Sequence, residues 1–168
     1  MTQLKLSTEA VRQLYEQHGP ALLLYARSFV AERTTAEDAV HQVFLKLLRG
    51  ETANLDKPLA YLYRAVRNSA INARRASARE TPLDGQERWF AHRGGELEAG
   101  LALQGALADL PDEQREVVIM RIWSGLTLEE AAAATGVPLN TVASRYRYAL
   151  EKLRERLKAY QSPRTSEE

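Results

Sequence analysis

Apolar residues recur at intervals of three and four through nearly the whole chain, which predicts helices and few strands. A first helix is expected from about Thr8 into the Phe29 region, interrupted or bent near Gly19-Pro20. A second opens at Thr34-Thr35-Ala36-Glu37, which has the form of a capping box, and continues to about Arg49. Its core-facing positions at helical spacing are Ala36, Val40, Val43, Phe44 and Leu47.

The middle of the chain predicts a third helix followed by a linker. A polar loop from Gly50 to Pro58 precedes helical periodicity from about Leu59 to Arg79. Its apolar positions are Leu59, Leu62, Val66, Ala70 and Ala73. Prolines, glycines and charged residues then interrupt the pattern, so residues 80–95 are expected to form a flexible linker.

The second half of the chain predicts another helical unit. Helical spacing begins near Leu97, breaks at Leu110-Pro111 and resumes from Asp112 to Trp123. The expected fold is therefore all-α, with two small helical domains joined by the linker. The predicted divisions are a helical bundle over 1–79, the linker over 80–95, a second domain over 96–160 and a polar tail over 161–168.

The segment from Gly125 to Leu150 has the pattern of a helix-turn-helix. Thr127 and Glu130 form a capping box that starts its first helix. Gly136 stands where a C-terminal cap needs a positive φ. Pro138 is tolerated in the first turn of the second helix, because its missing N–H would have had no partner there.

A step of about 100° per residue gives the second helix of this motif two unlike sides. Its apolar side carries Val142, Tyr146, Ala149, Leu150, Leu153 and Leu157. Polar groups near the N-terminus of such a helix reach base edges and phosphates when that end enters a major groove of DNA. The candidate contacts with duplex DNA are Asn140, Thr141, Ser144, Arg147 and Tyr148. The alternative is a solvated polar face on a structural helical hairpin.

Composition excludes several classes of protein. The chain of 168 residues contains no cysteine, which excludes disulfides and thiolate metal sites. Its three histidines, His18, His41 and His92, are far apart in sequence, and no cofactor site is predicted. No apolar run approaches the roughly 18 to 20 residues needed to span a bilayer, and the N-terminus lacks the pattern of a signal peptide. A bacterial-type cytosolic protein fits these features.

Basic residues are concentrated in the third predicted helix, although the net charge is only +1. The segment 57–79 has no acidic residue and contains Lys57, Arg64, Arg67, Arg74, Arg75 and Arg79. Like charges on one helix face repel unless an external polyanion balances them. The polar side of this helix carries Arg64, Arg67, Asn68, Arg74 and Arg75, with Tyr61 and Asn72 beside them. Phosphates and unpaired bases would suit these groups, and a solvated face is the alternative. Ile71 lies in the same arc, and the charge pattern does not account for it.

The outward face of the second helix has an apolar centre. Leu45 projects from a face that otherwise consists of Glu37, Asp38, His41, Gln42, Lys46 and Arg49. An apolar anchor within a polar rim is typical of a protein-docking site. A single exposed leucine is also common on ordinary protein surfaces, so both interpretations stay open.

Three segments, in order, resemble extracytoplasmic-function sigma factors of the sigma-70 family. They are AEDAVHQVFLKLLR over 36–49, LAYLYRAVRNSAINARR over 59–75, and LPDEQREVVIMR over 110–121 followed by the helix-turn-helix. The first two resemble sigma region 2 and the third resembles sigma region 4. The resemblance covers nearly everything from about Leu14 to Leu157.

The resemblance implies a non-enzymatic subunit of bacterial RNA polymerase that directs transcription initiation at specific promoters. It implies that the second helix docks on the β′ clamp helices through Glu37, Asp38, His41, Gln42, Leu45 and Arg49, and that the β flap is a further contact. It implies that the loop with Asn54 and the third helix bind and melt the minus-10 element, and that the second helix of the helix-turn-helix, including Arg145, reads the minus-35 duplex. The linker would thread toward the RNA exit path, and an anti-sigma factor is a further candidate partner.

The chain departs from the family pattern at several of these positions. His41-Gln42 replaces a usual Gln-Glu, Tyr61 a usual Trp, and Asn72 a usual Asp. Ala143 and Tyr148 replace a usual Lys and Arg, whereas Asn68, Thr141, Ser144 and Arg145 fit. The departures leave the promoter sequence open.

Three other classes of protein compete with this interpretation. An interaction protein that sequesters a partner is disfavoured by the basic face of the third helix. A helix-turn-helix regulator that acts without polymerase would explain the segment from Thr127 to Leu150. It would leave the arginine face and the helix bearing Leu45 without a role. A helical enzyme is disfavoured, because the sequence contains no recognisable catalytic constellation.

Overall fold

Every regular element in the described residues, 6–51, 57–78 and 97–161, is a helix in the computed structural model. This confirms the all-α prediction. The predicted linker, the tail after residue 161 and Asn54 lie outside the described residues. The helices are α1 (Thr8–Arg27), α2 (Arg33–Arg49), α3 (Pro58–Ala78), α4 (Leu97–Ala108), α5 (Asp112–Val118) with a π-helical turn (Ile119–Trp123), α6 (Leu128–Thr135) and α7 (Leu139–Gln161).

Helix α1 begins at a side-chain cap and runs without a break. The Ser7 hydroxyl accepts a hydrogen bond from the Ala10 N–H at 3.1 Å. The helix continues through Gly19 and Pro20, so it is not interrupted there, and the alternative of a bend stays a prediction. Proline removes only one helical hydrogen bond, and Pro20 is exposed, so solvent can satisfy the carbonyl left without its donor.

Helix α2 begins one residue before the predicted capping box. Glu32 is the N-cap residue and makes no side-chain cap, so the prediction that Thr34 caps this helix is wrong. Thr34 already lies inside the helix, and Glu37 instead forms an ion pair with Arg33 at 2.9 Å. The predicted end at Arg49 is confirmed, because Gly50 follows it with φ +72° in the left-handed region.

The helix-turn-helix forms as predicted. Thr127 Oγ1 accepts from the Glu130 N–H at 3.1 Å, and Glu130 Oε1 accepts from the Thr127 N–H at 3.1 Å, which completes the capping box. Gly136 ends α6 with φ +73°. Pro138 directly precedes α7, and its carbonyl accepts from the N–H groups of Thr141 and Val142.

The two halves of the chain share one hydrophobic core. The predicted apolar positions of α2 are buried together with Leu62, Val66 and Ala70 of α3. The same cluster includes Ile119, Met120 and other residues of the second half: Val117, Leu126, Ala131, Ala134 and Val142. Ile71 is partly buried against this cluster, which explains the apolar residue on the polar side of α3. Helix α3 lies against α6, and α1 contacts the π-helical turn.

A smaller cluster holds the second half together internally. It joins Leu107 of α4 to Val118 and Ala149, with Ala106, Leu110 and Leu153 beside them. Among the described residues, no helix has both the length and the apolar character to cross a membrane.

Candidate nucleic-acid interface

The first turns of α7 present the predicted duplex-binding face to solvent. Asn140, Arg147 and Tyr148 are exposed, and Thr141 and Ser144 are half-buried. Val142 and Ala149, on the other side, are fully buried. The Arg147 guanidinium lies over the Tyr148 ring, 5.2 Å from its centroid, which holds the two side chains together.

Arg145 occupies a different environment. Its side chain is mostly buried and forms an ion pair with Glu113 of α5 at 3.4 Å. The structure therefore places Arg145 beside α5 and away from the exposed pair of Arg147 and Tyr148.

The polar side of α3 divides into two stripes. The first, which we call the solvent stripe, consists of exposed residues: Arg64, Asn68, Asn72 and Arg75. Lys57, just before the helix, is also exposed. Tyr61 packs partly against the core, and burial raises the pKa of its hydroxyl. The solvent stripe offers guanidinium and amide groups to a ligand without any rearrangement.

The second stripe of α3 consists of Arg67 and Arg74, and both are engaged by α5. Arg67 Nε donates to Glu116 Oε2 at 2.7 Å, and its NH2 group lies 3.4 Å from Glu116 Oε1. Arg74 NH1 donates to Asp112 Oδ2 at 2.9 Å. Sequence reasoning grouped these arginines with the solvent stripe, and the structure separates them from it.

Glu116 lies in the contact between the two halves of the chain. Its side chain is 1% exposed, and its Oε2 atom also accepts from the Tyr25 hydroxyl at 3.1 Å. Burial raises the pKa of Glu116, and the hydrogen bonds from Arg67 and Tyr25 offset only part of this effect. Burial also raises the pKa of Tyr25 well above its usual value, so the phenol stays neutral and serves as a donor.

Arg115 joins three elements and was missed by sequence reasoning. Its guanidinium donates to the carbonyls of Leu107, Ala108 and Leu110 at 2.9, 2.9 and 2.7 Å, and to Ser28 at 3.3 Å. It also donates to Asp112 Oδ1 at 2.8 Å. The only signal in the sequence was a cluster of charges just before the apolar run that starts at Val117, which does not reveal their partners.

The outward face of α2 carries two exposed leucines. Leu45 is 41% exposed and Leu48, three residues later, is 42% exposed. Charged and polar side chains surround them: Asp38, His41, Gln42 and Arg49 are exposed, and Glu37 is half-buried beside Arg33. The Tyr15 hydroxyl lies 3.3 Å from His41 Nε2, which links this face to α1. Sequence reasoning identified Leu45 and missed Leu48.

The exposed faces of α2, α3 and α7 are surfaces suited to binding. Within the described part of the chain, no cluster of three or more histidine or carboxylate side chains is arranged to hold a metal ion. Two exposed helix faces, at the start of α7 and along α3, carry guanidinium, amide and hydroxyl groups. Such groups contact phosphates and bases.

Models of known protein families match both halves of the chain. The model for sigma-70 region 2 matches residues 14–80. The model for sigma-70 region 4 matches residues 106–155. The first match contains α2 and α3, and the second contains the helix-turn-helix.

Curated relatives match the chain over most of their length. The ECF RNA polymerase sigma factor SigD of Mycobacterium tuberculosis is 31% identical over 165 residues, which cover 89% of this chain and 78% of SigD. The RNA polymerase sigma-E factor of Streptomyces coelicolor is 34% identical over 151 residues, which cover 83% of this chain and 81% of the relative.

Two solved structures have a similar fold. One is CnrH in complex with the cytosolic domain of CnrY, with a TM-score of 0.67, 26% identity and coverage of 91% of this chain and 90% of that chain. The other is the sigma factor RpoE in complex with the anti-sigma factor NepR from Bartonella quintana, with a TM-score of 0.70, 28% identity and coverage of 88% and 96%.

Proposed function

The chain belongs to the extracytoplasmic-function sigma factors of the sigma-70 family, and from this premise we propose that it binds core RNA polymerase and directs it to promoters with two elements. The observation that carries the proposal is the pair of exposed nucleic-acid-type faces, on α3 and α7, in one chain. A regulator that contacts only an operator through its helix-turn-helix has no use for the face on α3.

The start of α7 is proposed to read the minus-35 element as duplex DNA. Asn140 and Arg147 are exposed on the side away from the core, where the end of a recognition helix enters the major groove. Tyr148, one of the departures from the family pattern, packs its ring under the Arg147 guanidinium. We infer that this pair, with Ala143, distinguishes the sequence read by this chain from those of its relatives.

Helix α3 is proposed to bind and melt the minus-10 element. Strand opening exchanges base pairing and stacking for contacts with protein. In this proposal Asn68 and Tyr61 contact bases, while Arg64 and Arg75 hold the backbone. Arg67 and Arg74 hold further backbone phosphates once they are released from α5. Lys57, Asn72 and Asn54, which lies outside the described residues, complete the proposed set. This role requires no covalent chemistry from the chain.

The outward face of α2 is proposed to dock on the β′ clamp helices of core polymerase. Leu45 and Leu48 together supply the apolar anchor, and the charged and amide groups around them supply the rim. A contact of the second half with the β flap completes the proposed assembly. The two similar solved structures are complexes with CnrY and with the anti-sigma factor NepR, which supports a protein inhibitor as a further partner.

The test is an initiation assay with purified components. The chain is mixed with core RNA polymerase and genomic promoter fragments, and transcripts are mapped by their start sites. Transcription from promoters that core alone ignores would support the proposal. No complex with core polymerase at low salt, together with sequence-specific binding of the free chain to duplex DNA, would instead support the regulator.

A further inference from the structure

The two arginines of the second stripe of α3 are held on the same side of the helix. They are seven residues apart, so a step of about 100° per residue places Arg67 and Arg74 within about 20° of each other. Both guanidinium groups meet carboxylates of α5, Glu116 and Asp112. In the proposed function the same arginines hold the phosphates of the minus-10 element. The guanidinium groups of Arg67 and Arg74 therefore have two alternative sets of anionic partners, the carboxylates of α5 and the phosphates of DNA.

The contact with Glu116 has the geometry by which arginine holds a phosphate. Two nitrogens of the Arg67 guanidinium face the two carboxylate oxygens, which is the bidentate arrangement that also serves phosphate groups. The Arg67 side chain is 27% exposed while Glu116 is 1% exposed, so Glu116 lies inside the contact between the halves and Arg67 reaches it from the edge. Separation of the halves would expose both partners.

The second contact is more accessible. Arg74 and Asp112 are each more than a third exposed, so this ion pair is screened by solvent and salt. Asp112 also accepts from Arg115, whose guanidinium donates to the Ser28 carbonyl just after α1. Asp112 and Arg115 thus connect α3, α5 and the end of α1 in one network.

The chemistry of this contact suits a surface that has to separate. A buried carboxylate costs free energy that an apolar residue of the same size would not, so apolar residues would serve a permanent contact at least as well, although removing one partner of an existing ion pair weakens the contact. Ion pairs do make a contact sensitive to a competing polyanion, because DNA offers the same guanidinium groups an alternative anion.

We propose that Asp112 and Glu116 act as an internal competitor for the promoter, and that, together with the shared apolar core, they keep the chain closed by occupying Arg67 and Arg74. The two halves separate before these arginines bind DNA phosphates. The solvent stripe of α3 stays available in the closed chain and makes the first contact with DNA. This inference rests on the proposed function of α3.

The first test measures whether the chain opens. Gln17 on α1 and Glu151 on α7 are exposed, and the chain contains no cysteine, so Q17C and E151C can be labelled for a distance measurement by fluorescence energy transfer. The test variant is D112N/E116Q. The matched control is D109N/E155Q, which removes the same charge from carboxylates paired within the second half, with Arg156 and Lys158. We expect energy transfer to fall in the test variant and to stay at the wild-type level in the control.

The second test measures binding of the same proteins to a fluorescent single-stranded DNA of mixed sequence. If a binding site is open in only a fraction of the molecules, the measured affinity equals the affinity of the open form multiplied by that fraction. If nine tenths of the chains are closed and bind only through the solvent stripe, full opening tightens binding by at most about tenfold. The control accounts for the change in net charge. Circular dichroism checks that each variant folds. If E116Q does not fold, both measurements are made with D112N alone, and we expect a smaller effect in the same direction.

The outcomes separate this inference from the proposed function. Lower energy transfer with tighter binding, both relative to the control, supports the internal competitor. Unchanged energy transfer overturns it, while initiation with core polymerase can still succeed. Lower energy transfer without tighter binding also overturns it, and the initiation assay then decides whether α3 has lost its proposed role as well.

Discussion

Replacement of Arg115 by methionine tests how much one guanidinium contributes to this fold. Methionine fills a similar volume but donates no hydrogen bond, so the substitution removes the donors and largely preserves the packing. The carbonyls of Leu107 and Leu110 and the carbonyl of Ser28 belong to buried residues and would lose a charged donor. Ala108 is exposed, so water can replace the donor of that carbonyl.

The magnitude follows from these three buried contacts, of which the Leu107 carbonyl keeps a second donor, the Leu110 N–H at 3.2 Å. A hydrogen bond to a charged group contributes about 1.5 to 3 kcal/mol, and a buried acceptor left without a donor costs about 1 to 3 kcal/mol. The contacts share one side chain and are not additive, so we expect a loss of about 3 to 5 kcal/mol in the free energy of unfolding. For a chain of this size that corresponds to a fall of about 6 to 20 °C in Tm.

Urea denaturation followed by circular dichroism measures this loss. Arg121→Met is the matched control, since Arg121 is exposed in the π-helical turn that follows the same helix. Arg115→Lys should recover part of the loss, because an ammonium group can satisfy one or two of the carbonyls but not all of them. A difference of less than about 1 kcal/mol between Arg115→Met and Arg121→Met would refute the idea that these hydrogen bonds hold α4, α5 and α1 together.

Four further outcomes are expected. Gly136→Ala should lower stability by about 1 to 2 kcal/mol in thermal melts, because φ is +73° there and a Cβ would meet no atom within 4 Å, so only backbone strain acts. Leu45→Asp should weaken binding to core polymerase in a pull-down while leaving the unfolding midpoint unchanged, and normal binding would contradict the docking role of α2. Arg147→Ala should cost about 1 to 3 kcal/mol in binding of the minus-35 duplex if it contacts a base, and an unchanged footprint would count against the assignment. Burial by itself raises the pKa of Asp112, but Arg74 and Arg115 together hold it below its usual value. A lowered folded pKa gives stability above the unfolded pKa that is lost as the pH falls through the folded value, so the stability difference between wild type and Asp112→Asn should shrink as the pH falls below the usual aspartate pKa of about 4.

The sequence predicted helix ends correctly at α6, where the capping residues lie close to one another along the chain. The capping box at Thr127 and the left-handed cap at Gly136 formed as expected, since each depends on residues within a few positions of one another. The capping box at Thr34 did not form, because the helix starts earlier and an ion pair between Arg33 and Glu37 serves its first turn. A motif of four residues does not by itself decide where a helix begins.

The binding surfaces were predictable only in part, because helical spacing indicates which side of a helix faces a core but not which distant segment packs against it. Exposure of Asn140, Arg147 and Leu45 followed from helical spacing, since the apolar residues of each helix indicate which side faces a core. Leu48 lies on the outward face as well, although its residue type predicts burial. The pattern could not anticipate that both halves would pack into one core, which also explains Ile71.

The sequence by itself determined that the chain is helical, where the helix-turn-helix lies and which helix carries unbalanced arginines, because these properties depend on spacing within about a dozen residues. Only the tertiary structure decided which arginines are available. Arg64 and Arg67 are equivalent by residue type and lie on the same side of α3, yet one is exposed and the other is paired with Glu116, 49 positions away. Helical spacing says which side of a helix is polar, whereas the partner across that side is brought there by packing between distant segments.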